Sequence, residues 1–411
     1  MISPDEARSF VLSGLAPLAP VDVSLAESIG LVAAGTIEAS EPAPSFTNSA
    51  MDGFAVRADD VTASETRLRI VDSVFAGESS DVVVGHGDAT RIMTGAPLPP
   101  GADSVCARED ATVETERGYV VIHRTMAVGN SVRHVGDDMT VGQVLVAPGD
   151  VISPALLGAL AAQGVASLRV HPAPRVGVLS TGNELVDAAG PLGPGQIRDS
   201  NRPTLLAALA RSGFSPVDLG TVRDSKEDLR AAFERARREC DAVISTGGVS
   251  AGDADFVKVV LAELFGKRAR SMQVAIRPGK PFTFALDEES ATPFFGLAGN
   301  PVSTLVGFEL FVRPALRRLA GQRDIDRPRL SMVLDCDVER APDGKLHLVH
   351  GLCRVHDDGR LHVESLARRG SHLLFAIAHS NCLVFAPDGP RLAAGEVVSA
   401  LLLDENHVNV V

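Results

Sequence analysis

The sequence predicts a multidomain protein of the α/β plus β class. A central α/β domain with a parallel sheet is expected between β-rich segments. Three observations predict it. The chain has 411 residues, more than one hydrophobic core ordinarily serves. From about residue 173 to about 326, apolar strand-like runs alternate with runs at helical spacing, the pattern of parallel strands joined by helices. From Arg67 to Arg124, and again after Pro328, short apolar runs are separated by Gly, Pro and Asp, as in small all-β domains.

The elements follow in order. Ser3-Pro4-Asp5-Glu6 is a capping box with Pro at the first helical position, and Phe10, Val11 and Leu15 supply an apolar face. Residues 36–50 read as irregular. RLRIV, DVVV, ATRIM and YVVIH read as strands of a small β domain, and SPALLGALAAQ as a capped helix. In the α/β region RVGVLS, SPVDLGTV, DAVIST, MQVAI and FFGLA read as strands. NRPTLLAALARSGF reads as a helix capped by Asn201, and SKEDLRAAFERARREC as a helix capped by Ser225 with Asp228. DADFVKVVLAELFG and VSTLVGFELFVRPALRRLAG complete the helices. Residues 330–411 read as a small barrel or sandwich.

Composition narrows the function. Hydrophobic content of 45% and charged content of 22% are globular values. With no Trp and one Tyr, a base-stacking surface for single-stranded nucleic acid is not expected. A net charge of -13 opposes binding to nucleic acids and anionic membranes. A small anion would need a locally basic pocket or a nest of backbone N–H groups. Cys106, Cys240, Cys336, Cys353 and Cys382 are odd in number and scattered, which suits a reducing cytoplasm rather than a disulfide framework. MISPDEARSF lacks the pattern of a signal peptide, and no apolar stretch reaches the length of a membrane span.

The chemistry is expected beyond the carboxyl ends of the strands, where open parallel sheets bind ligands. Five polar or glycine-bearing loops fall there: Thr181-Gly182-Asn183-Glu184, Arg223-Asp224-Ser225, the run from Thr246 to Asp253, Arg277-Pro278-Gly279-Lys280-Pro281, and Gly299-Asn300-Pro301. Gly247-Gly248 would bring backbone N–H groups close to an anion before a helix begins. The loop is neither a P-loop nor a dinucleotide fingerprint. Asp253 and Asp255 are ordinary helix caps or, beside an anion, carboxylates for Mg2+. Arg277 and Lys280 place two cations on a loop stiffened by proline. A run of His347, His350, Cys353 and His356 has metal-like spacing. It lies on a strand, where residues three apart face opposite sides, so at most two converge and zinc is not expected.

The residues now resemble a known family, the molybdopterin molybdenumtransferases, which include MoeA-type proteins and the homologous domain of gephyrin. SAMDGFAV at 49–56, RIMTGAPLPPGAD at 91–103 and VRHVGDDMTVG at 132–142 carry the resemblance in the first third. LSTGNEL, GQIRDSN, TVRDS, STGGVSAGDADF, RPGKPF and GNPVS follow in the family's order and spacing. The resemblance covers nearly the whole chain. It implies a linking domain from 1–47 and 134–172, an inserted β domain at 48–133, a molybdopterin-binding α/β domain of three layers at 173–326, and a β-barrel at 327–411.

The resemblance also implies a homodimer, with molybdopterin adenylyltransferase as a further candidate partner. The implied reaction inserts molybdate into adenylylated molybdopterin, with Mg2+ assistance and release of AMP. Carried over, Asp52, Glu184, Asp224, Asp255 and Lys280 are candidate catalytic residues, with Asp224, Asp255 and Glu184 on the metal. Thr94, Asp138, Thr181, Gly182, Ser245, Gly247, Gly248, Ser250, Gly252, Arg277, Gly299, Asn300 and Pro301 are candidate substrate- and cofactor-binding positions. Three positions depart from the family: Asn183 where Asp is frequent, Arg277 where Lys is usual, and Ala298 where the motif has Pro. The alternatives are the related adenylyltransferase, which needs only the α/β domain, and a non-catalytic gephyrin-like scaffold.

Overall fold

The computed structural model describes every residue except 188, 250–254, 367–369, 371, 405–407 and 411, and gives the backbone alone at 376, 409 and 410. The chain forms two compact units. One holds Met1–Gly35, Pro148–Pro154 and Ser167–Val411; the other holds Thr36–Ala147 and Ala155–Ala166.

In the larger unit the first helix spans Pro4–Leu12, with Pro in its first turn, and the Ser3 hydroxyl accepts the Glu6 N–H. The strands Val21–Ser24 and Val32–Ala33 flank Ser167–His171 in one antiparallel sheet, so the N-terminal segment pairs with chain that follows it by more than a hundred residues.

The α/β domain contains β1 (Arg175–Thr181), α1 (Asn201–Arg211), β2 (Ser215–Val222), α2 (Lys226–Glu239), β3 (Ala242–Thr246) and α3 (Phe256–Phe265). It continues with β4 (Ala269–Gln273), β5 (Pro281–Leu286), β6 (Pro293–Leu297) and α4 (Pro301–Gly307). The sheet order is β2-β1-β3-β6-β5-β4. The pairs β1–β2, β1–β3 and β3–β6 are parallel, whereas β5 runs antiparallel to both β6 and β4. The fully parallel sheet expected from the alternation is therefore four parallel strands with an antiparallel edge. Only turn residues separate β5 from β6, with no helix to carry the chain back, so these two strands must be antiparallel.

Burial on both faces explains the unbroken apolar strands. Val178 packs on one face and Leu179 on the other; Phe295 and Phe294 divide in the same way. Phe294 meets Phe233 of α2 edge-on, with centroids 5.6 Å apart, and Phe295 packs against Phe284 at 5.5 Å. Burying each of these side chains stabilises the fold by about 2–3 kcal/mol. The helical run after Pro301 is interrupted by a π-helical turn at Phe308–Val312 and resumes at Arg313–Leu319.

The C-terminal domain is a closed barrel of β7 (Arg329–Leu334), β8 (Leu346–Val355), β9 (Leu361–Ser365), β10 (Cys382–Ala386) and β11 (Val397–Leu402). The ring runs β8-β9-β7-β11-β10 and closes back onto β8. Its interior is small: Met332, Val363, Cys353, Cys382 and Ala400. MQVAI does not form one strand. Its first residues extend β4, while Ile276–Arg277 pairs with the start of β8.

The smaller unit carries a six-stranded sheet ordered Ser104–Ala107, Gly53–Val56, Asp88–Ile92, Thr66–Val74, Tyr119–Ile122 and Ala111–Glu114. DVVV forms no strand; its backbone crosses to Pro100, whose carbonyl accepts the Val84 N–H at 2.8 Å.

Phe294→Ala should cost about 3–5 kcal/mol of stability by leaving a cavity between β6 and α2. Urea denaturation of the purified chain measures it, and a loss below about 1 kcal/mol would contradict the packing described.

Candidate functional site

Strand direction assembles the site. β1, β2, β3 and β6 leave the sheet at one edge, and the antiparallel β5 enters from that same edge. All five loops singled out in the sequence therefore share it. Ser250 and Gly252 lie outside the described residues.

Asn201 locks this edge. It was expected as a helix cap, yet it is the first residue of α1, and Ser200 holds the cap position. Its amide instead donates to the Thr246 hydroxyl at 2.8 Å and to the Gly299 carbonyl at 2.7 Å. The Ala298 carbonyl accepts from the Thr246 hydroxyl at 3.3 Å and from the Thr304 hydroxyl at 2.6 Å. Chain leaving a ladder must find new partners for its backbone, and these side chains supply them. Asn300 and Pro301 occupy the N-cap and first position of α4. Ser245 is buried, with its hydroxyl 3.5 Å from the Phe295 carbonyl.

The glycine loop is sterically specified. Gly247 has φ +96°, and a Cβ there would fall 2.3 Å from the Thr181 carbonyl oxygen; Gly248 has φ +62°. No described side chain intrudes on Gly299 in this way, since a Cβ there would meet Gly247 at an ordinary 3.7 Å.

Beside this loop Asp224 lies within reach of the charges of Asp255 and Glu184. The Asp224 N–H donates to Asn183 Oδ1 at 3.3 Å, and its carboxylate accepts from the Thr181 hydroxyl at 3.4 Å. Burial pushes the Asp224 carboxyl above the ordinary range. The charges of Asp255 and Glu184 push it further, and the Thr181 hydroxyl only partly offsets them. Asp255 stands at the N-cap of α3 but makes no capping bond; it pairs with Lys258 at 3.0 Å. A Cβ on Gly182 would lie 2.7 Å from the Glu184 carboxylate, so this acid folds back over its own loop. Asn183 thus fills a positioning role that the missing charge of an Asp would not improve.

The cationic part lies along the 277–281 loop. Arg277, Lys280, Val302 and Ser303 form one wall of a cleft of about 600 Å³, and Arg340, His347, His350 and His372 contribute to the other. Arg277 has a carboxylate partner. It is 3.3 Å from Asp343, which also accepts from Lys345 at 2.6 Å and faces His347 at 2.9 Å. Those donors hold Asp343 far below the usual carboxylate range. Burial pulls His350 down to about 4, so it is neutral at neutral pH, and Arg277, Lys280 and Arg340 line the cleft together with one carboxylate, Glu339. Of the far wall the sequence singled out only His347 and His350, on one strand; Arg340 and His372 lie on other segments with no common spacing.

In the smaller unit, Asp52 and Thr94 meet. The Asp52 carboxylate accepts from the Thr94 N–H at 2.8 Å and from its hydroxyl at 2.7 Å, which lowers its pKa. Asp138 is exposed in a turn, with its N–H on the Ala43 carbonyl at 2.9 Å. Four of the five cysteines are buried, and burial pushes the Cys106 thiol up to about 11, so these thiols are poor nucleophiles.

A doubly wound domain with polar loops on one edge, flanked by a small β unit and a barrel, defines an anion-handling biosynthetic protein. Family comparison is more specific. Residues 2–164 match the MoeA N-terminal region, domains I and II. Residues 177–318 match a probable molybdopterin-binding domain, and 334–403 match the MoeA C-terminal region, domain IV. The chain is 36% identical to the molybdopterin molybdenumtransferase of Haemophilus influenzae, over 97% of this chain and 98% of that protein. It is 35% identical to molybdopterin molybdenumtransferase 2 of Mycobacterium tuberculosis, over 96% and 98%. The solved structure of a molybdopterin biosynthesis protein from Pyrococcus horikoshii aligns with TM-score 0.82 at 25% identity, over 98% of this chain and 100% of that one. The chain belongs to the molybdopterin molybdenumtransferase family, transferases of molybdenum cofactor biosynthesis.

Two outcomes test the geometry. Gly247→Ala should cost at least about 2 kcal/mol, because an L side chain would combine left-handed strain with a backbone clash; chemical denaturation reads this. Asp224 has a raised folded pKa, so its ionisation opposes folding above that pKa and not below its unfolded value. Asp224→Asn should therefore raise Tm at neutral pH and lose that gain in acid, as followed by calorimetry across pH.

Proposed function

We propose that this protein inserts molybdate into adenylylated molybdopterin, releasing AMP and molybdenum cofactor. The observation that carries the reading is one sheet edge holding both Asp224, on which the charges of Asp255 and Glu184 act, and the Arg277 and Lys280 wall of a cleft. A phosphate-bearing substrate acting with molybdate needs both, because anions must be gathered and a divalent cation held beside them. Asp224, Asp255 and Glu184 are the residues that would hold Mg2+. Their hard oxygen donors suit it, and a cation there would offset the burial of Asp224 and the charges of Asp255 and Glu184 that together raise its pKa. Mg2+ bound there would neutralise charge on the pyrophosphate link as it breaks.

The chain's own groups have distinct tasks. The N–H groups around Gly247 and Gly248 and the ammonium of Lys280 would bind oxyanions, and Arg277, steadied by Asp343, would orient them. Asp52, steadied by Thr94, and Asp138 would act on the molybdate and pterin side. The dithiolene sulfurs belong to the substrate, which agrees with the buried thiols. The matches to both flanking regions favour this reading over a stand-alone adenylyltransferase. We further propose a cytoplasmic homodimer that receives its substrate from the adenylyltransferase. Among the described residues no helix is long and apolar enough to cross a membrane.

The test is AMP release from adenylylated molybdopterin with molybdate and Mg2+. Asp224→Ala and Asp255→Ala should each lower the rate at least about 100-fold in a chain that stays folded. Unchanged rates, or no release by the unaltered protein, would refute the assignment. Lys280→Ala should act mainly through KM for the anion. Ala298→Pro should leave the rate equal or higher; a sharp loss would mean that the edge is adapted to alanine. Light scattering should give twice the 43.0 kDa chain mass.

A further inference from the structure

The β8–β9 hairpin carries a cluster that neither the proposed reaction nor the family comparison uses. The hairpin register sets Arg354 opposite His362 and Val355 opposite Leu361, and the His356 N–H donates to the Arg360 carbonyl at 3.1 Å. His356 and His362 are thus diagonal neighbours on one face, close enough for aromatic rings to meet. Their rings stack with centroids 4.0 Å apart and an interplanar angle of 11°. The parallel pairing of β7 with β9 then delivers Asp335 to the same place, its N–H donating to the Val363 carbonyl at 3.0 Å. One Asp335 oxygen lies 2.7 Å from His362 Nδ1 and the other 3.8 Å from His356 Nε2. A ligand atom from each of the three residues lies within 4.8 Å of the others.

We propose that this rim of the C-terminal barrel is a transition-metal site, with Asp335, His356 and His362 as ligands and Zn2+ as the fitting ion. Two imidazoles and a carboxylate match Zn2+ and its first-row neighbours, whereas Mg2+ prefers oxygen alone. Outer support is in place. Asp358 lies 3.2 Å from His362 Nε2, the nitrogen left over when Nδ1 binds, and a carboxylate there fixes the ring and its tautomer. Asp358 is itself held by the turn, accepting the Arg360 N–H at 2.9 Å. The cluster is open to an ion, with the His356 side chain 37% and Asp335 32% exposed.

A second grouping, Asp343 with His347 and Asp388, lacks this freedom, because Lys345 and Arg277 already pair with Asp343. Asp335, by contrast, has only the two histidines as ion-pair partners among the described residues. The ion would displace the proton between Nδ1 and Asp335 into solvent, with no change of oxidation state, so affinity should fall as pH drops. Bound there, the ion would tie the end of β7 to the β8–β9 hairpin.

The experiment uses the full chain, stripped with EDTA and dialysed, and titrated at neutral pH with Zn2+ alone by calorimetry and with Co2+ by visible absorption. The proposal expects one equivalent bound, no competition from excess Mg2+, a Zn2+-dependent rise in Tm, and Co2+ bands typical of nitrogen and oxygen ligation. His356→Gln or His362→Gln should weaken binding at least about 10-fold, Asp358→Asn about 10-fold, and His347→Gln not at all. Absence of binding by the unaltered chain at tens of micromolar Zn2+ would overturn the site, as would full retention in the double histidine variant or loss in His347→Gln. The Co2+ spectrum of the unaltered chain decides the ligand class even if a variant misfolds, and a spectrum without nitrogen ligation would also overturn it.

Discussion

The site depends on how two central strands are tied where they leave the sheet. One amide, Asn201 Nδ2, spans the Thr246 hydroxyl and the Gly299 carbonyl, while the Thr246 and Thr304 hydroxyls converge on the Ala298 carbonyl. Without such bonds the backbone beyond β3 and β6 would have polar groups with neither ladder partners nor free access to water. With them, the glycine loop and the start of α4 are held in one place. Gly247 completes the arrangement, because only a residue without a Cβ lets the chain pass 2.3 Å from where a side chain would strike the Thr181 carbonyl.

On that edge the electrostatics divide. Burial, together with the charges of Asp255 and Glu184, makes the charged form of Asp224 unfavourable. A fold optimised for stability alone would not keep this arrangement, and perturbed groups of this kind mark functional sites more often than scaffolding. The cationic cleft is organised differently. Arg277 comes from the α/β domain and Asp343 from the barrel, so the ion pair between them steadies one wall of the cleft against the other. An acidic protein thereby gathers several cations on one concave surface, where field lines concentrate.

The barrel shows the same economy on a smaller scale. Five strands close on a core of mainly small and medium side chains, and closure removes the exposed edges that short strands would otherwise present. Closure also brings β7 beside β9, which is why Asp335 meets a histidine pair set by the hairpin.

By itself the sequence determined the alternation of strands and helices in the α/β domain, because strands buried on both faces read as short unbroken apolar runs and the helices between them keep a helical period. It also determined the loops that gather at the sheet edge, because glycine, proline and capping residues act over a few positions. Ser225 capping α2 and Pro301 opening α4 were legible for that reason. Asn201 was misread as a cap since its partners lie about forty-five and a hundred residues away. Arg277 pairs with Asp343, which the barrel supplies, and the run from His347 to His356 lies on a strand as read. His356 instead met His362 and Asp335, which strand pairing alone could bring together. Local chemistry is written in neighbouring residues. Which charges meet, and which donors are already taken, depends on contacts between distant segments, and these exist only once the sheets have closed.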